Sequence, residues 1–171
     1  MSKISDSVTK GISENSNSVT GLKSGLLEID GITIHSQLTL NELETFFADR
    51  ITKHIFPDDV NSPTVRIKEP VFFEDMLAKV AIFFRDLKVS TVEIICAEKR
   101  FSNPMSSFSH EKYLAKKEFH ISWLKEKLGK PTFQNENTTQ YDYNWGEISA
   151  NSNGQDPNLN ILVDYYAGKS S

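Results

Sequence analysis

The stretch that decides the fold is His110-Glu-Lys-Tyr-Leu-Ala-Lys-Lys-Glu-Phe-His-Ile-Ser-Trp-Leu-Lys-Glu-Lys-Leu128, followed by Gly129-Lys-Pro131 and then by Tyr141-Asp-Tyr-Asn-Trp-Gly-Glu-Ile148 and Asn160-Ile-Leu-Val-Asp-Tyr-Tyr166. The first segment reads as a helix. Ser109 is placed to accept its free amides, Glu111 stands in the favourable first turn, and Gly129 with Pro131 supplies the stop. At about 100° per residue Tyr113, Leu114, Ile121, Leu124 and Leu128 fall within a stripe of roughly 100°, which should cover a sheet. Phe119 and Trp123 lie on a flank of that stripe and read either as extended core or as exposed anchors for another protein. The two later segments alternate like strands, with Tyr141, Tyr143 and Trp145 on one face of the first, and Ile161, Val163 and Tyr165 on one face of the second. Between them Asn153-Gly154 and Asp156-Pro157 are turn dipeptides, so the order is helix, strand, long turn, strand.

Working back toward the N-terminus, Val89 to Ala97 and Leu77 to Phe84 form a strand pair around a turn at Arg85 to Lys88. Val71 to Asp75 fits a strand or a loop, and Val65 to Lys68 is a short strand halted near Pro70. Thr39 precedes Glu42 at capping-box spacing, with Leu38 and Leu43 placed for a hydrophobic staple, which predicts a helix from about Leu40 to Thr52. Leu26 to Ile34 reads as a hairpin around Asp30-Gly31. Residues 1–24 carry seven serines and no aromatic residue. Such a composition cannot offset ordering entropy by burial, so a disordered tail is expected there, with one domain over residues 25–171. The fold class expected is α+β: an antiparallel sheet of roughly five to seven strands, the long helix across one face and the shorter helix at an edge.

Composition narrows the function classes. The chain has 171 residues, with 11 Phe, 5 Tyr and 2 Trp, enough large side chains to close a core without a disulfide or structural metal. Cys96 is the one cysteine, which excludes an internal disulfide, and its apolar flanks make it a structural thiol. No secretory leader or membrane span is read in the sequence, so a cytoplasmic location is expected. The formal charge is −4, and residues 25–171 hold 16 basic against 21 acidic residues. That balance disfavours phosphate-driven nucleic-acid binding and is compatible with a basic protein partner.

The sequence shows no Gly-rich phosphate loop, nucleophile elbow or paired His-Glu metal motif. His110 and His120 are ten residues apart on one helix, on different faces, so a shared metal is disfavoured. No cofactor is expected. Asp58-Asp59 and Glu74-Asp75 place carboxylates side by side, either as solvated loops or as an acidic patch matching a basic cleft on a partner. The lysines of the long helix alternate with glutamates, which fits a solvated face.

The order of elements, from Gly31-Ile-Thr-Ile-His35 and Leu38-Thr-Leu-Asn-Glu-Leu43 through the central hairpin to Trp123-Leu-Lys-Glu-Lys-Leu-Gly-Lys-Pro131, Tyr143-Asn-Trp-Gly-Glu-Ile148 and Asn160-Ile-Leu-Val-Asp-Tyr165, resembles small bacterial immunity proteins of contact-dependent growth-inhibition and polymorphic toxin systems. The resemblance covers about residues 25–166 and carries over no single functional residue. It implies a non-enzymatic protein that binds a cognate toxin domain, often a nuclease, and neutralises it by stoichiometric occlusion. The partner-binding residues expected are then Asp58, Asp59, Glu74 and Asp75 for steering, and Phe119 and Trp123 as anchors. A small-ligand or scaffold domain with an apolar pocket is the second reading. A hydrolase using His35, His54 or His120 as base is the third.

Overall fold

The computed structural model of the protein describes residues 21–101, 109–153 and 156–166. The described strands are β1 (Leu27–Ile29), β2 (Ile32–Ile34), β3 (Ile51–Phe56), β4 (Asp59–Ile67), β5 (Val71–Phe73), β6 (Met76–Arg85), β7 (Lys88–Cys96), β8 (Phe133–Gln134), β9 (Thr138–Tyr143), β10 (Gly146–Asn153) and β11 (Asp156–Tyr165). The helices are α1 (Leu40–Phe47) and α2 (His110–Leu128). All eleven strands join one antiparallel sheet, in the order β2-β1-β5-β6-β7-β11-β10-β9-β8, with β3 attached through β4. The sheet is wider than the expected five to seven strands. The edge of β6 facing away from β7 is shared: its start pairs with β5 at Met76 to Ala78, and its later part with β4 at Ala81 to Phe83.

The register sorts the side chains into two faces, because directly opposed residues of neighbouring strands point the same way. Val163, Val92, Ile82 and Val65 form one inner row, and Ala150, Ile161, Ile94 and Val80 the next. Both rows belong to the core cluster, as do Leu43 and Phe47 of α1 and Trp123, Leu124 and Leu128 of α2. α2 lies against β10 and β11. The other face carries Arg66, Glu93, Thr91, Asp164, Glu147 and Asp142, with Leu162, Phe83 and Ala81 among them.

Local chemistry explains the element ends. The Thr39 hydroxyl accepts the Glu42 amide while the Glu42 carboxylate accepts the Thr39 amide, a complete capping box. Ser109 accepts the Lys112 amide at the head of α2, and Gly129, at φ +84, ends it. Asp30 and Gly31 take φ +48 and +88 in the β1–β2 turn, and Asp86 and Leu87 take +51 and +62 between β6 and β7, the positive values a tight hairpin turn needs.

Five expectations are corrected. α1 stops at Phe47 instead of Thr52: Ala48 turns out at φ +50, and Ile51 onward pairs with β4 as a strand. The segment Tyr141–Ile148 is a hairpin, β9 turning at Asn144-Trp145 into β10. Trp145 folds back to stack on Tyr143, with ring centroids 5.4 Å apart and planes 5° from parallel. A Cβ at Gly146 would stand 2.0 Å from the Asp164 carbonyl oxygen, so the following strand can approach only a glycine there. The expected long turn before the last strand is mostly strand, since β10 and β11 pair as far as Asn153 and Asp156. Gly154 and Gln155 lie outside the described residues.

The buried face of α2 is turned relative to the expected stripe: Tyr113, His120, Trp123, Leu124 and Leu128 are buried, while Leu114 is 44% exposed. At 100° per residue the centre of the stripe shifts by about 60° toward Trp123. Finally, Gly21–Ser24 belong to the folded body rather than to the Ser-rich tail: they form a 3-10 turn with Leu22 fully buried. The Trp145 indole donates to the Lys23 carbonyl at 2.9 Å and the Tyr165 hydroxyl to the Gly25 carbonyl at 2.7 Å, which ties this turn to the last hairpins. Residues 1–20 of the expected tail lie outside the described residues, as do 102–108 of the loop before α2.

Candidate protein-binding surface

The β3–β4 hairpin leaves the body as an arm. Every residue from Thr52 to Asn61 is exposed on it, although a strand that packs one face on a core should show alternate burial. Ile55 is 47% exposed, Phe56 45% and Val60 60%. The His54 ring meets Phe56 edge-on with centroids 4.5 Å apart. Asp58 lies in the turn at the tip and Asp59 opens β4, so two of the four expected steering carboxylates project beside these apolar side chains. The base is held by the β6–β7 turn, where the Leu87 amide donates to the Asn61 carbonyl at 2.7 Å. Leu87 itself is 50% exposed. The sequence does contain this signal in Ile55-Phe56 and Val60 around a Pro-Asp-Asp turn, directly after the helix expected to run to Thr52.

The other expected binding residues sit elsewhere. Trp123 is 5% exposed and packs on Phe73, so it offers no anchor to a partner. Its indole N–H donates to Asp75 Oδ1 at 2.8 Å, and the Lys127 ammonium donates to Asp75 Oδ2 at 2.9 Å. Asp75 thus serves the fold: a tryptophan can be buried because its polar tip has a partner. The carboxyl is exposed, and the hydrogen bonds from Lys127 and Trp123 outweigh its desolvation and hold it below the usual carboxylate range. Glu74 precedes it at φ +53, with Oε1 buried and unpartnered among the described residues. Burial, with Glu28 and Asp75 nearby, raises its pKa. Phe119 is half-buried against Phe101, with the Arg100 guanidinium over both rings. Only Asp75 and Trp123 of the six are joined by a hydrogen bond.

The histidines are placed as follows. His120 is buried under α2, and its Nε2 accepts the Cys96 backbone amide at 3.1 Å. That bond occupies the lone pair a general base would use. Burial, aided by the charge of Lys116, drops its pKa to about 3. Cys96 is buried beside it and burial raises the thiol pKa, which keeps it inert. His35 accepts the Gln37 amide on Nδ1 within its own turn, and His110 stacks on Tyr113. Among the described residues no group of three or more His, Cys, Asp or Glu is arranged to hold a metal ion.

Two cavities bear on the ligand-pocket reading. A hollow of about 600 Å³ opens at the end of α2, lined by Lys125, Lys130, Pro131, Thr132, Phe133 and neighbouring backbone, where Phe133 is the large apolar side chain. A space of about 10 Å³, near the size of one water, lies between His120 and the polar side chains Asn137, Thr139 and Ser152. Neither has the Phe- and Tyr-lined character that reading calls for. No described helix is long and apolar enough to cross a membrane. Comparison of the chain with protein-family models, with curated proteins and with solved structures finds no match.

Proposed function

We propose that this chain is a non-enzymatic immunity protein that neutralises a bacterial toxin domain by stoichiometric binding. The observation that carries the reading is the exposed β3–β4 arm. It holds Ile55, Phe56 and Val60 out of the core beside Asp58 and Asp59. An apolar cluster left outside a chain that has a well-filled core is suited to burial against another protein. Carboxylates around it suit a partner with a positive surface, as a nuclease domain must have to hold phosphate, and the net charge of −4 adds long-range attraction. In this reading Phe56 and Ile55 take the anchoring role expected of Phe119 and Trp123.

The test is a titration against a purified bacterial toxin domain, taken from the neighbouring reading frame where that frame encodes one. Protection should be complete at an equimolar ratio, and the two should co-elute as one complex. Phe56→Ala with Ile55→Ala should speed dissociation by a factor corresponding to about 2 kcal/mol or more. Protection at a small fraction of an equivalent would mean turnover and reject binding as the mechanism. Absence of a complex would reject the partner.

A further inference from the structure

Three carboxylates stand in one line across the outer face of the sheet. Asp164 of β11 is directly opposite Glu147 of β10, and Glu147 is directly opposite Asp142 of β9. Strands are spaced about 4.8 Å apart, so the three fall within about 10 Å. Like charges placed directly opposite each other work against the sheet. Among the described residues their side-chain donors are neutral: Thr91 Oγ1 to Asp164 Oδ1 at 2.6 Å, Gln140 Nε2 to Asp142 Oδ1 at 2.8 Å and to Glu147 Oε2 at 3.3 Å, and the Tyr166 hydroxyl to the same Glu147 oxygen at 3.3 Å. No described lysine or arginine forms an ion pair with any of them. One oxygen of each is held by a neutral donor.

A second observation extends this line to the arm. The same register row runs from Asp164 to half-buried Thr91 and Phe83 and buried Thr64, and ends at exposed His54 of β3, whose ring lies against Phe56. Seven strands at that spacing make a row of about 29 Å, the breadth of a standard protein interface. Both described helices put their buried residues on the other face. The row is therefore anionic at one end and apolar at the other.

We infer that the outer face from β9 to β3 is a docking surface for a basic protein, with Asp142, Glu147 and Asp164 receiving its lysine or arginine side chains and the β3–β4 arm holding its apolar part. The inference rests on the immunity reading for the identity of the occupant and on charge complementarity for its chemistry. A nucleic acid is the wrong occupant, because the ladder repels phosphate. The cost to the sheet is what a binding site imposes on its scaffold when local rules are broken for function.

The probe is decalysine, added to isotope-labelled protein at low salt while backbone amide shifts are followed. Shifts should be largest at Thr91, Asp142, Glu147 and Asp164. The triple variant Asp142→Asn, Glu147→Gln, Asp164→Asn should bind the peptide at least tenfold more weakly, whereas Asp58→Asn with Asp59→Asn should change it less. Denaturant melts of the triple variant, expected at or above the native midpoint, separate lost binding from lost fold, and Glu147→Gln alone serves should the triple variant melt early. Peptide that does not bind, that shifts residues elsewhere, or that binds these variants equally overturns the inference. The two readings fail separately: a toxin complex indifferent to the triple variant removes this face, and decalysine binding here without any toxin complex removes the toxin.

Discussion

At His120 the sequence offers a candidate base and the structure gives its lone pair to a backbone amide. The donor, Cys96, is 24 residues away on β7, so no local pattern could announce it. The pairing has a consequence in acid. A histidine whose folded pKa is about 3 and whose ordinary value is 6.5 stays neutral in the fold while the unfolded chain takes up a proton. Its contribution is whole above 6.5, and stability falls as pH drops from there toward 3, by about 1.4 kcal/mol per pH unit. His120→Gln keeps an acceptor for the Cys96 amide and removes the titration. Urea melts at about pH 7 and 5 should show the native chain losing about 2 kcal/mol more than the variant. Equal losses would place the acid sensitivity elsewhere.

At the scale of elements, what was legible is what local chemistry writes down. The Thr39–Glu42 box, the Ser109 cap, the Gly129 stop and the Asp30-Gly31 turn each depend on residues close in sequence, and each forms. β6 and β7 were legible because their alternation has a true inside and outside. Ile51–Phe56 was not, since a strand exposed on both faces leaves no alternation to read. The α2 phase failed for a related reason: periodicity ranks Leu114 above His120, whereas Trp123 and His120 are drawn inward by Asp75 and by the Cys96 amide. Trp123→Ala should therefore cost about 3–5 kcal/mol in denaturant melts, and Leu114→Ala less than about 0.5. The reverse order would restore the sequence-derived phase.

At the scale of the whole molecule, the antiparallel α+β class was legible and the width of the sheet was not, because β3 begins inside the segment that reads as a helix, β8 is two residues long, and one alternating segment holds the turn between β9 and β10. Of the expected binding residues, Asp58 and Asp59 lie on the arm, but the carboxylate ladder was hidden. Asp142, Glu147 and Asp164 become neighbours only once β9, β10 and β11 are in register. The shared edge of β6 has one more consequence. β4 pairs with β6 at three positions, Thr64 to Arg66, the β6–β7 turn adds amide bonds to Asn61 and Ser62, and β3 pairs with β4 alone. Beyond Asn61 the hairpin has no such support and should open without the rest, since an isolated hairpin is marginal in water. In deuterated solvent the amides of His54 to Asn61 should exchange at least about a hundredfold faster than those of Val80 to Phe84, and matching protection would show that arm and body open together. If the arm opens alone, a partner that grips it captures one member of a fluctuating population, and docking would be read out as slowed exchange in a segment remote from the core.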